Sequence, residues 1–187
     1  MRNVFREGER ICFRPLEMED LEFLQRMIAS EEIHPYIGVY WPLNKRAERE
    51  WLEGLYKTRE NFPFGIALKE DDRLIGCCDL RLGAAAHRAA EIGIGIGEPE
   101  ARGKGYGTEA IRLLLDYGFG TLNLHRIELR VYENNPRAIR CYEKCGFKRE
   151  GIKREARWWD GRWWDSLDYA ILAHEWREQA PSPGTAK

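Results

Sequence analysis

The segment Arg102-Gly103-Lys104-Gly105-Tyr106-Gly107-Thr108 joins an alternating apolar stretch to a long amphipathic one. Three glycines at every second position let the backbone take left-handed angles and let a ligand approach closely. The first N–H groups of a helix have no partner inside it, and the helix dipole adds partial positive charge at that end. A strand that runs through such a turn into a helix is an anion site suited to a diphosphate. Arg102, Lys104 and Thr108 add side-chain donors. A tight turn with no ligand is the plainer reading of this stretch taken alone. A Walker A loop requires a hydroxyl residue directly after Gly-Lys, and here Gly105 follows Gly103-Lys104. The Gly103-x-Gly105-x-Gly107 spacing also departs from the GxGxxG of dinucleotide folds.

A second block lies downstream: Asn135-Pro136-Arg137-Ala138-Ile139-Arg140-Cys141-Tyr142-Glu143-Lys144-Cys145-Gly146-Phe147. Arg102-x-x-Gly105-x-Gly107 resembles the Arg/Gln-x-x-Gly-x-Gly/Ala signature of the GNAT superfamily of N-acetyltransferases. The downstream block resembles that superfamily's Asn-x-x-Ala-x-x-x-Tyr-x-x-x-Gly-Phe. Two blocks in the right order are far more specific than either alone. The resemblance runs from Arg14-Pro15-Leu16 through the last hairpin. It is closest to the branch of ribosomal-protein N-terminal and spermidine/spermine acetyltransferases, a placement supported by residues 117–119 and 122–127.

The resemblance implies an acetyl-CoA-dependent enzyme, and the lack of an apolar span or of a secretion signal points to the cytoplasm. Residues 92–96 would splay from the strand at 126–131, and the pantetheine arm would pair with the backbone of Ile94 and Ile96 beside Gly95. Residues Arg102, Gly103, Lys104, Gly105, Tyr106, Gly107 and Thr108 would hold the diphosphate. Asn135 would contact the pantetheine or diphosphate side, and Tyr142 would sit near the thioester sulfur. Acetyl transfer to an amine needs a deprotonated amine, a donor for the thioester oxygen and a proton for the departing thiolate. A backbone N–H near Ile96 suits the oxygen. Tyr142 is the candidate acid and Glu91 the candidate base, acting through a water. Glu32, His34, Asp79 and Asp165 are further candidates for the base. Packing beside Phe147 is the alternative role for Tyr142, and a surface ion pair the alternative for Glu91.

The elements that must position these residues alternate along the chain. Residues 10–14, 64–69, 74–82, 90–96, 126–131, 149–159 and 162–172 read as strands by alternation and turn signals. Residues 17–30, 46–59, 107–120 and 136–145 read as helices by apolar spacing. Asp160-Gly161 is a strong hairpin signal. The pattern predicts an α+β fold with a mixed, mostly antiparallel twisted sheet flanked by helices. The strand–helix–strand unit over residues 90–131 should place its two strands parallel. One domain over residues 1–178 and a flexible tail over 179–187 fit the chain length of 187 residues.

Net charge −1 with both signs plentiful gives no hint of a nucleic-acid partner. No apolar stretch approaches the roughly 20 residues of a membrane span, and residues 1–10 lack the apolar core of a secretion signal. The five cysteines form no CxxC pair. Cys141 and Cys145, four apart on a helix, have no histidine at ligand spacing, so they read as thiols and no metal is expected. The acceptor is expected between the loop over residues 33–43 and the last hairpin. Both are aromatic, with Tyr36, Tyr40 and Trp41 in one and Trp158, Trp159, Trp163 and Trp164 in the other. Aromatic faces attract cations, which suits a polyamine or a protein N-terminus. An exposed tryptophan face would equally serve a homodimer. A CoA-binding sensor without catalysis and an ATP-binding protein are the competing functions.

Overall fold

The computed structural model describes residues 3–37, 44–57 and 59–179. Tyr40, Trp41 and residues 180–187 lie outside the described residues. Eight strands form one sheet in the order β1-β2-β3-β4-β5-β6-β8-β7. They are β1 (Arg6–Glu7), β2 (Ile11–Arg14), β3 (Asn61–Leu68), β4 (Leu74–Leu82), β5 (Ala89–Ile96), β6 (Arg126–Tyr132), β7 (Lys148–Trp159) and β8 (Arg162–Leu172). The helices are α1 (Leu21–Ala29), α2 (Lys45–Gly54), α3 (Tyr106–Asp116), α4 (Pro136–Lys144) and α5 (Ala173–Gln179). All pairings are antiparallel except β5 with β6, which is parallel across α3. The fold is therefore the α+β arrangement expected from the sequence.

The two faces of β5 show why this sequence takes this form. Ala90 and Ile92 are buried in the main core with Ala110, Ile111, Leu114 and Leu115 of α3. Burying each such aliphatic chain contributes about 1.5–3 kcal/mol. On the other face Gly93 lies under the Asp79 and Arg81 side chains, and Gly95 and the adjoining Gly97 lie against α1. A Cβ at Gly95 would fall 2.4 Å from Met27, and one at Gly97 would fall 2.7 Å from Phe23. A smaller core, with Leu16, Leu24, Leu52, Leu55 and Leu74, joins α1 and α2 to that second face.

Several boundaries differ from those read off the sequence. α2 stops at Gly54, because glycine weakens a helix interior. The helix over 107–120 is α-helical to Asp116 and widens into a π turn at Tyr117–Thr121, where Gly118 packs on Ile127 and Leu124. Gln179, placed in the tail by its sequence neighbours, belongs to α5 and donates to the Glu175 carbonyl. The β7–β8 hairpin turns at Asp160 (φ 50°) and Gly161 (φ 75°), the left-handed pair that such two-residue turns require.

Candidate active site

β5 and β6 pair only from Ala89↔Arg126 to Glu91↔Glu128. Beyond Glu91 the two strands separate, and a cavity of about 980 Å³ occupies the opening. Gly97 donates its N–H to the Ile75 carbonyl of β4 (2.8 Å). Alternation along the ladder then turns the backbone groups of Ile94 and Ile96 away from β4, toward the cavity. Ile94, Gly95 and Ile96 all line it.

The glycine turn forms one end of this cavity. Gly103 and Gly105 are left-handed, with φ of 75° and 87°, and Gly105 is the N-cap of α3. The first N–H to reach a helical carbonyl is that of Glu109, on Gly105 (3.0 Å). The N–H groups of residues 105–108 are left without helical partners on a segment that lines the cavity. A Cβ at Gly103 would meet nothing within 4 Å, so the concave side of the turn is open. The turn is braced from behind by a residue that sequence reading missed. Arg10 donates to the Lys104 carbonyl (2.9 Å), pairs with Glu109 (3.0 Å) and lies 4.7 Å over the Tyr106 ring. Lys104 itself is exposed and does not line the cavity.

Arg102 is placed differently from its expected role. Its Nε donates to the Ile96 carbonyl (3.0 Å) and one Nη to the Gly97 carbonyl (2.7 Å), while the other Nη pairs with Glu32. The guanidinium, with its side chain only 7% exposed, ties the end of β5 to the segment after α1. Its donors are committed to protein. The unengaged cations of the cavity are on α4 instead. Arg137, Arg140 and Lys144 line it at i, i+3 and i+7, one face of a helix. No carboxylate partner for any of the three lies among the described residues. That spacing was legible in the sequence, but only the fold shows that the stripe faces the cavity.

Asn135 is the N-cap of α4, its side-chain oxygen accepting from the Ala138 N–H (3.1 Å). Its side-chain NH₂ is therefore the group left for a ligand. Tyr142 is 8% exposed, packs edge-on to Phe147 at 6.0 Å and still lines the cavity. Burial pushes its phenol above the ordinary tyrosine value, and the neighbouring thiols of Cys141 and Cys145 push in the same direction. The group stays protonated across the working pH range.

Two of the cavity carboxylates, Glu91 and Asp79, share Arg81 as an ion-pair partner, at 3.4 and 2.5 Å, and differ in burial. Glu91 lines the cavity but is shared between Arg130 (3.2 Å) and Arg81 (3.4 Å). Two guanidiniums thus occupy the Glu91 carboxylate, the candidate base expected from the sequence. Asp79 also lines the cavity, directly over Gly93, where a Cβ would strike its Oδ1 at 2.5 Å. Burial raises the Asp79 pKa, outweighing the opposing effects of Arg81 and the Gly93 N–H. Asn61, whose side-chain oxygen is buried without a hydrogen bond, lines the same lobe as Trp51 and Leu55. His34 and Asp165 do not line the cavity. Asp165 accepts from the Glu155 N–H (2.8 Å) at the β7 bulge.

The expected acceptor mouth between the loop and the hairpin is altered by one buried cation. Arg157 of β7 is 2% exposed and donates to the carbonyls of His34 and Ile37, both at 3.2 Å. It lies 4.4 Å over the Tyr132 ring. The described part of the loop therefore packs on the hairpin, and the lobe lined by Met27, Trp51, Asn61 and Asp79 lies toward α1, α2, β3 and β4. Trp158 and Trp163 are exposed and meet edge-on at 5.3 Å, away from this lobe. Among the described residues no group of three His, Cys, Asp or Glu could hold a metal. No helix there is long and apolar enough to cross a membrane.

A family model described as an acetyltransferase (GNAT) domain matches residues 10–148. The spermidine N(1)-acetyltransferase of Vibrio cholerae is 35% identical over 146 residues, covering 76% of this chain and 82% of that protein. The Escherichia coli K12 spermidine N(1)-acetyltransferase is 30% identical over 176 residues, covering 93% and 92%. Among solved structures, the Vibrio cholerae spermidine N-acetyltransferase in complex with CoA and spermine superposes with a TM-score of 0.83. That match has 31% identity and covers 91% of this chain and 99% of the other.

Proposed function

The chain belongs to the GNAT acetyltransferase family, and from that premise we propose that its cavity transfers the acetyl group of acetyl-CoA directly to a small primary amine of the polyamine type. The observation that carries this reading is the parting of β5 from β6, with a left-handed glycine turn at one end and the half-buried Asp79 carboxylate at the other. The glycines fit a diphosphate, since a side chain at Gly105 would require a backbone angle that L residues avoid. The N–H groups of residues 105–108 would hold it, with Arg137, Arg140 and Lys144 of α4 facing the remaining negative charge of the cofactor. Arg102 acts indirectly by fixing the end of β5. The cofactor supplies an activated thioester carbonyl. The backbone of Ile94 and Ile96 aligns the arm that bears it, and Asn135 offers its amide.

In this site Tyr142 holds the proton destined for the departing sulfur, and its burial keeps that proton in place. Asp79 takes the proton of the amine, directly or through a water. A base acts best when its pKa lies near the working pH, and burial moves Asp79 in that direction. Holding amine and thioester together supplies further acceleration. The polyamine reading is supported by the spermidine acetyltransferase relatives and by a lobe combining Asp79, Asn61 and the exposed edge of Trp51. A protein N-terminus remains the alternative acceptor. The test is CoA release across spermidine, monoamines and amino-terminal peptides. Turnover of peptides with none of spermidine would reject the polyamine assignment, and turnover of no amine would favour the sensor reading.

Asp79→Asn is expected to lower kcat/KM about 10²-fold, within the range for general bases. The sign follows from its raised pKa. The wild type should lose activity as pH falls through a value above the ordinary aspartate range, because the carboxylate then gains a proton. The variant should lose that limb while keeping the limb of the acceptor amine. A pH profile with both limbs intact in Asp79→Asn would remove Asp79 from the mechanism.

A further inference from the structure

The cysteines differ sharply in surroundings. Cys12, Cys78 and Cys145 are buried. Cys77 is half-buried, and burial pushes its thiol up to about 12. Cys141 is likewise half-buried, and it lines the cavity, as does Cys77. Its Sγ lies 3.2 Å from Thr108 Oγ1, in the first turn of α3. A Cβ at Gly107 would sit 3.7 Å from the same sulfur. One turn along α4, the Cys145 Sγ donates to the Thr108 carbonyl at 3.7 Å. Both sulfurs thus converge on the residue that opens the helix beside the glycine turn.

The features that suit this corner to a phosphate also suit it to a thiolate. A helix N-terminus and nearby cations stabilise the anionic sulfur, which is the nucleophilic form. The adjacent Cys145 thiol, the Thr108 hydroxyl and the nearby charges of Lys144 and Arg112 draw the Cys141 thiol below its ordinary value, against the opposing effect of burial. Arg137, Arg140 and Lys144 flank Cys141 on the same face of α4 and lack carboxylate partners among the described residues. They favour an incoming reagent that carries negative charge.

We propose that Cys141 is a modification site at which a disulfide of an anionic low-molecular-weight thiol exchanges with the protein, and that the adduct closes the diphosphate cradle. The Cys141 sulfur attacks one sulfur of the small disulfide. A new S–S bond forms, the old one breaks, and the departing thiolate takes a proton from water. The protein thiol is oxidised to a mixed disulfide and the small disulfide is reduced, one half leaving as a free thiol, so no further oxidant is needed. Closure of the cradle rests on the cofactor reading of the cavity.

The test treats the full chain with CoA disulfide and, separately, with the neutral bis(2-hydroxyethyl) disulfide, followed by intact mass and peptide mapping. The expected result is one CoA adduct on the Cys141 peptide, removed by dithiothreitol and absent in both Cys141→Ser and Cys141→Ala. Saturating acetyl-CoA should slow labelling at least tenfold, and CoA disulfide should react at least tenfold faster than the neutral reagent. Labelling of Cys77 or Cys145 in place of Cys141, equal rates with both reagents, or no protection would overturn the proposal. A thermal shift of the unmodified chain by acetyl-CoA, run alongside, separates failure of the cofactor reading from failure of this one. The adduct is read by mass and does not depend on turnover.

Discussion

Tyr142→Phe should lower kcat by about 10²- to 10³-fold, in the range of a lost general acid, while the dissociation constant for acetyl-CoA changes by less than about threefold. The hydroxyl is the only group removed. The ring keeps its contact with Phe147 at 6.0 Å and its place in the core, so α4 should hold its position. No hydrogen-bond partner for that hydroxyl lies among the described residues, and the fold gives it no structural duty to lose. Steady-state kinetics with direct measurement of acetyl-CoA binding separates the two quantities. The pH dependence gives a second check. Burial displaces the Tyr142 pKa upward, so the wild type should show no loss of acid function near the ordinary tyrosine value of about 10. Turnover within threefold of wild type across the pH range would assign Tyr142 to packing alone.

What the sequence disclosed follows from how far each interaction reaches along the chain. β4 and β8 have the bounds read from alternation, because adjacent residues on opposite faces of a sheet meet different environments. The glycine turn was equally legible, since its chemistry lies in the backbone of seven consecutive residues. β1 was not. It has two residues and exists only because Arg6 and Glu7 pair with Phe13 and Cys12. α5 carries little apolar periodicity of its own and is held by Ala173 and Trp176 against a core built elsewhere, and by the Glu175–Lys148 pair.

The same limit governs the site. Composition identifies Glu91, Asp79 and Arg102 as charged groups near the cofactor strand, but charge becomes chemistry only through partners. Arg81 pairs with both Glu91 and Asp79 and Arg130 with Glu91, so the two carboxylates belong to one network, within which burial over Gly93 makes Asp79 a stronger base than an ordinary aspartate. Arg102 spends its donors on Ile96, Gly97 and Glu32, which are six, five and seventy positions away. Arg157 is drawn into the interior, where it joins the hairpin to residues 34–37. Nothing local to its exposed, bulged strand signals that burial.

Gly105→Val should abolish detectable acetyl-CoA binding, raising the dissociation constant about 100-fold or more. Residue 105 has φ 87°, and a β-branched side chain there is an outlier in any fold. Holding an L residue in that region costs roughly 1–2 kcal/mol. The turn escapes the strain by moving to negative φ, which rotates the N–H groups that line the cavity. The new Cβ would also lie 3.3 Å from Arg10 Nη2, disturbing the brace behind the turn. Each tenfold loss of affinity is about 1.4 kcal/mol, so a few misdirected donors suffice. Thermal melting reads this directly. Acetyl-CoA at 100 times its dissociation constant should stabilise the wild type by about 2.7 kcal/mol, a rise of roughly 5–10 °C for a domain of this size. The variant should show no rise at the same concentration, while its far-ultraviolet circular dichroism stays that of the wild type. Gly54→Ala, at a helix position with nothing within 4 Å of the added carbon, should keep the full shift. An undiminished shift in Gly105→Val would mean that the diphosphate is held elsewhere, and the acyl-transfer geometry built on that turn would fall with it.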